Sequence, residues 1–185
     1  MIGVTGPNAS GKGEVCTYLE RIGFVVHSLS DVIRDEAAAR ELPPYREHLI
    51  RIGNELRAED GPGALARRIL PKLGARAVVD SIRQPAEVAV LRELPQFLLL
   101  GVTAPVELRF QRALSRARPG DPQTLEAFIG REAEENSDNP AAQQLDATFA
   151  LVDHVVDNGD DLEALQATVP QLLSRLGVNT ARICG

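Results

Sequence analysis

Residues 1–15 read MIGVTGPNASGKGEV, and this stretch decides the fold. Ile2 to Thr5 form a short apolar run with the character of a buried strand, and Gly6 to Lys12 follow as a glycine-rich phosphate loop of the form G-x-x-x-x-G-K. Val15, Leu19 and Ile22 then recur at four- and three-residue spacing, which predicts a helix from about Gly11 to Ile22. In the order strand, loop, helix, the backbone N–H groups of the loop would wrap the phosphates of a nucleoside triphosphate, aided by the partial positive charge of the helix start. Gly6, Asn8, Ala9, Ser10, Gly11, Lys12, Gly13 and Glu14 are thus the expected ATP-binding stretch, with the Lys12 ammonium reaching the β- and γ-phosphates. The residue after the lysine normally carries a hydroxyl for Mg²⁺; here it is Gly13. Its loss removes one metal ligand but no phosphate-cradling N–H, and Mg²⁺ readily keeps waters, so binding should persist with a modest metal penalty.

Downstream, apolar runs alternate with helical patterns. GFVVH (23–27), RAVVD (76–80), QFLLLGV (96–102) and DHVVDN (153–158) read as further strands. Helices are expected after Ser28 or Ser30, over about 44–58, 62–73, 105–116, 123–136, 140–150 and 160–176, and after Pro85. Such alternation means an α/β protein, a mostly parallel sheet covered on both faces. The 185 residues suit a single domain.

Composition narrows the function. A net charge of −6 disfavours a nucleic-acid partner. Cys16 and Cys184 lack metal-ligand or disulfide-framework spacing. With neither an apolar run of about 20 residues nor a leader-like segment, the expectation is a cytoplasmic protein with no membrane partner. Of twenty basic residues only Lys12 and Lys72 are lysines, and one of them stands where a phosphate loop needs a compact ammonium.

Other candidates follow from strand ends. Asp80 closes the third strand, beside the loop, where a carboxylate can hold Mg²⁺ directly or through water. Arg34 and Arg83 each follow a strand end by a few residues, on the crevice side of a parallel sheet, and are suited to clamping an anionic second substrate. Arg109, Arg112 and Arg116 share one helix face. Residues 107–118 hold four arginines against one acid, and 126–139 hold five acids, Asp138 among them, against one arginine. Two solvated faces that pair with each other would explain this. So would a lid, about 107–138, whose arginines reach a transferring phosphoryl on closure.

The whole pattern resembles the P-loop small-molecule kinases, the group of adenylate and cytidylate kinases and dephospho-coenzyme A kinase. GPNASGKG resembles their ATP loop, HSLSDVIRDE the segment bringing Asp31 and Arg34 to the acceptor, and VVDSIRQ the strand whose arginine, here Arg83, grips the acceptor phosphate. APVELRFQRALSR resembles their lid entry, and VDHVVDNGDDLEAL is closer to dephospho-coenzyme A kinase, which would put Asn158 and Gly159 near the adenine. The resemblance implies a three-layer P-loop NTPase fold with a five-stranded parallel sheet in the order 2-3-1-4-5 and an acceptor-binding helical segment over about 30–73. It implies ATP as co-substrate, Mg²⁺ and a small-molecule nucleotide substrate. Lys12, Asp31, Asp80, Arg112 and Arg116 would be the catalytic set, with Asp31 orienting an acceptor hydroxyl. A nucleoside monophosphate kinase is the leading expectation and a dephospho-coenzyme A kinase the alternative. An ATP-binding switch with little kinase activity, favoured by Gly13, is the rival of another class.

Overall fold

The apolar runs Ile2–Thr5, Ala77–Asp80 and Leu98–Thr103 become central strands buried on both faces, which a parallel sheet covered by helices allows. In the computed structural model, which describes residues 1–117, 120–136, 139, 142–159 and 162–178, five strands form one parallel sheet. They are β1 (Ile2–Thr5), β2 (Val25–Ser28), β3 (Ala77–Asp80), β4 (Leu98–Thr103) and β5 (His154–Asp157). Their order is β2-β3-β1-β4-β5, as expected. Ile2 of β1 pairs with both Val78 and Leu98, so the phosphate loop leaves the centre of the sheet. Arg118, Asp138 and Cys184 lie outside the described residues.

Side chains alternate across the sheet with the period of two that a strand imposes. Ile2, Val4, Val78, Leu100, Val102 and Val156 face one core, with α1 (Lys12–Arg21) and α9 (Leu162–Arg175) over it. Val79 and Leu99 face the other, with α2 (Leu29–Ala39), α3 (Arg46–Asp60), α4 (Ala64–Ile69) and α5 (Pro85–Leu91). A third, small cluster of Phe110, Ala113 and Phe128 joins α6 (Val106–Arg116) to α7 (Leu125–Glu135). The short α8 (Leu145–Phe149) leads into β5.

Boundaries shift where local chemistry dictates. The second strand starts at Val25, because Gly23 turns at φ +90° and Phe24 is drawn into the core. The helix expected over 62–73 stops at Ile69 and tightens into a 3₁₀ turn, Leu70–Lys72, where Pro71 has no N–H to continue the ladder. The helix expected over 140–150 is reduced to Leu145–Phe149, with 140 and 141 outside the described residues. Ser28 is the cap of α2, accepting from the Ser30 N–H at 3.2 Å.

Candidate functional site

The loop after β1 can fold back on itself only because of two glycines. Gly6 has φ +143°, and a Cβ there would come within 2.1 Å of the Val102 carbonyl oxygen. Gly11 has φ +99°, and a Cβ would meet the Asn158 amide nitrogen at 2.0 Å. The Asn158 amide instead donates to the Ser10 carbonyl at 2.8 Å, tying the end of β5 to the loop from beneath. Gly13 is different, for nothing lies within 4 Å of its missing Cβ. A serine there would fit.

Lys12 Nζ donates to the Gly6 and Pro7 carbonyls, both at 2.8 Å. Burial lowers its pKa to about 8; the nearby Arg83 charge pushes the same way and Asp80 opposes. Asp80 Oδ2 accepts from the Ser81 hydroxyl at 3.1 Å, which in turn accepts from the Ser28 hydroxyl at 3.1 Å. Asp80 Oδ1 is buried and has no hydrogen-bond partner among the described residues. A buried carboxylate oxygen left spare beside a phosphate loop suits a cation or its water shell, so Mg²⁺ fits here.

These groups open into a cleft of about 1820 Å³. That is well above the roughly 1000 Å³ at the upper end of single-ligand pockets. Asn8 to Glu14, Asp31, Arg34, Asp80, Arg83, Arg112, Arg116 and Asn158 all line it. Gly6 does not, and Gly159 turns aside, its N–H donating to Asp157 Oδ1 at 2.9 Å. Asp31 and Arg34 pair with each other at 2.5 Å and are more than half exposed, which puts them at the rim rather than the floor.

Arg109 and Arg116 of α6 bond the phosphate loop and acids that follow α6 in the chain. Arg109, 8% exposed, donates to the carbonyls of Ala104 (3.0 Å) and Asn8 (3.2 Å) and pairs with Glu132 of α7 at 2.5 Å. Arg116 donates to Asn8 Oδ1 at 3.0 Å and pairs with Asp121 at 3.1 Å. The expected pairing of the two oppositely charged helices is thus seen at Arg109–Glu132, and α6 also meets the phosphate loop at Asn8.

Several cleft residues escaped the sequence reading. Arg46, Ile50, Asn54 and Arg57 recur at helical spacing on the cleft side of α3, a signal that was available. Asn54 Oδ1 is buried and unpartnered among the described residues. Arg57, 3% exposed at its side chain, donates from Nε and Nη2 to Glu87 Oε1, while the other Glu87 oxygen accepts the Arg83 N–H at 2.9 Å. Burial raises the Glu87 pKa, and Arg57 holds it back. This buried pair fixes the turn that carries Arg83. Nothing in the local sequence announces it, since thirty residues separate the partners. Arg46 in turn pairs with Glu135, at the end of α7.

A family model described as an AAA domain matches residues 5–128. A UPF0200 protein of Hyperthermus butylicus is 34% identical, over 95% of this chain and 94% of its own length. One of Pyrococcus abyssi is 31% identical, over 95% and 96%. Among solved structures, TT1252 of Thermus thermophilus superposes with a TM-score of 0.61 at 23% identity, covering 95% of this chain and 96% of that one. The shikimate kinase of Acinetobacter baumannii does so at 0.59 and 15%, covering 96% and 94%. Matched almost end to end by these relatives and over more than half its length by the AAA-domain model, the chain belongs to the UPF0200 family and has a P-loop small-molecule-kinase-like fold.

Proposed function

We propose that the protein is an ATP-dependent phosphotransferase whose acceptor is a small nucleotide, in the first place a ribo- or deoxynucleoside monophosphate. The observation carrying this is that Lys12, Asp80 and Arg83, which close or follow two neighbouring strands, line one cleft together with the glycine loop. Cations gathered there beside a phosphate loop suit a second anionic phosphate group as well as the first. The size of the cleft supports two ligands rather than one.

In this reading the loop from Gly6 to Glu14 cradles ATP, Lys12 neutralises the β- and γ-phosphates, and Asn158 keeps the loop in shape. Asp80 would hold Mg²⁺, directly or through water, and the metal would supply charge neutralisation at the phosphates. Arg83, with Arg34 at the rim, holds the acceptor phosphate in line. An acceptor oxygen forms the new bond to the γ-phosphorus as the bond to the β–γ bridging oxygen breaks, and ADP leaves. A phosphate acceptor needs no strong base, so positioning and electrostatics carry the rate. Asp31 would orient the acceptor only if the latter reacts through a hydroxyl, as dephospho-coenzyme A does. Residues 107–138 are the lid in this scheme, delivering Arg112 and Arg116 to the equatorial oxygens, and 30–73 are the acceptor arm.

Gly13 favours a second reading, an ATP-dependent switch that turns over poorly. One experiment separates the two. ADP release is followed with Mg-ATP over a panel of ribo- and deoxynucleoside monophosphates and dephospho-coenzyme A, in the wild type, Lys12→Ala and Gly13→Ser. Stimulation by one acceptor, abolished in Lys12→Ala, establishes the kinase. Tight ATP binding without stimulation by any acceptor in wild type or Gly13→Ser establishes the switch; activity appearing only in Gly13→Ser makes the missing hydroxyl the cause.

A further inference from the structure

Glu135 is placed as a ligand rather than as a surface charge. Its side chain is only 14% exposed, and it meets Arg46 fork to fork. Arg46 Nε donates to Oε1 and Nη2 to Oε2, both at 2.8 Å. Arg83 Nη1 stands 3.9 Å from Oε2, a charge contact too long for a hydrogen bond, and donates instead to Gln143 Oε1 at 2.7 Å. Glu135 thus bonds one edge of the Arg46 guanidinium in full and meets Arg83 through charge alone. At contact distance two guanidinium groups, Arg46 and Arg83, share the Glu135 carboxylate, while the Asp80 and Glu87 charges act on Arg83 from farther away. A phosphomonoester dianion would balance both and has oxygens enough to bond both forks.

The helix carrying Glu135 has little reason of its own to extend as far as it does. Glu132, Glu134 and Glu135 crowd the last turn of α7, where the helix dipole is negative and no basic residue stands. That turn is held from outside, by Arg109 on Glu132 and Arg46 on Glu135. Arg109 is anchored by two backbone carbonyls and keeps Glu132, so releasing Glu135 would remove the fastening of this turn to α3 and leave its fastening to α6.

We propose that Glu135 is an internal stand-in for the acceptor's phosphate, held by Arg46 and Arg83, and that a phosphomonoester enters by displacing it, unlatching α7 from α3. This rests on the kinase reading for the identity of the ligand, not for its charge. Inorganic phosphate, the smallest probe, is titrated calorimetrically into the wild type, Glu135→Gln, Arg46→Gln and the double variant. Removing the competing carboxylate should tighten phosphate binding on the order of tenfold. In the Arg46→Gln background that gain should vanish, which separates the clamp from phosphate bound at the loop near Lys12. Unchanged or weaker binding in Glu135→Gln, or a gain that survives loss of Arg46, overturns the proposal. Hydrogen exchange gives an independent readout in the wild type: phosphate should speed exchange of the last turn of α7, and unchanged or slower exchange there counts against displacement. The titration involves no phosphoryl transfer, so a tighter Glu135→Gln without acceptor-stimulated turnover keeps the clamp and sinks the kinase, and the reverse pair of results does the opposite.

Discussion

Lys12 folds its ammonium onto two carbonyls of its own loop, in a site buried enough to bring its pKa down to about 8. ATP would surround the same ammonium with anions, which favour the charged form and return its pKa toward the ordinary lysine value near 10.4. The sign follows. At pH 8.5 most free protein has lost the proton and must regain it on binding, whereas at pH 7 the lysine is charged in both states. We expect Mg-ATP binding to take up well over half a proton at pH 8.5 and close to none from Lys12 at pH 7. Calorimetry in buffers of different ionisation enthalpy measures this directly. Equal uptake at both pH values would mean that Lys12 does not receive the phosphates. Gly13 belongs to the same scale. With open space around its missing Cβ, no contact requires a glycine there, so its cost is confined to the lost metal ligand.

At the scale of the element, the turn between β3 and α5 is the most tightly determined part of the cleft. The Arg57–Glu87 pair is almost completely buried, and the second Glu87 oxygen holds the Arg83 backbone. Truncating Arg57 leaves a buried carboxylate uncompensated, which should cost roughly 3–5 kcal/mol. We expect Arg57→Ala to lower the denaturation midpoint accordingly and to weaken acceptor binding more than ATP binding, because the loosened turn carries Arg83 and not Lys12. Adding Glu87→Gln should recover much of the stability by removing the stranded charge while leaving an oxygen for the Arg83 N–H. If the double variant is as unstable as Arg57→Ala, packing rather than charge holds the turn. This element also marks where sequence reading ends. The strands and the phosphate loop were legible because short-range patterns encode them, namely apolar runs, a glycine signature and helical spacing, whereas the strand order came from the resemblance to P-loop kinases. Asp80 and Arg83 were legible because strand ends face the crevice. Arg57 with Glu87, Arg46 with Glu135 and Asn158 with Ser10 were not, since each joins residues far apart in sequence and depends on how helices pack. Strand-end position pointed to Arg34 and the family resemblance to Asp31, and neither could show that the two pair with each other at the rim.

For the molecule as a whole, the three apolar clusters divide rigid from movable parts. Thirteen and twelve described residues form the cores on the two faces of the sheet, while Phe110, Ala113 and Phe128 alone form the buried core between α6 and α7. Each fully buried large side chain contributes about 1.5–3 kcal/mol, so α7 is held far less firmly than β1 or β4 by burial. Its other fastenings include two ion pairs, Arg109 to Glu132 and Arg46 to Glu135, the second with a third of the arginine exposed, and a hydrogen bond from Arg131 to the Gly120 carbonyl. A segment with a small core and ionic latches should open on its own, well below the free energy of global unfolding. In native-state hydrogen exchange we expect α7 amides to exchange at least about a hundredfold faster than those of β1 and β4, a gap of only about 2.7 kcal/mol. Salt discriminates the cause: near 1 M the Debye length falls to about 3 Å, and the exposed latch should weaken while apolar burial does not. Raising salt should therefore speed α7 further and leave the sheet unmoved. Exchange of α7 together with the sheet, at any salt, would mean that the helix is part of the rigid body and that the cleft is closed by some other segment.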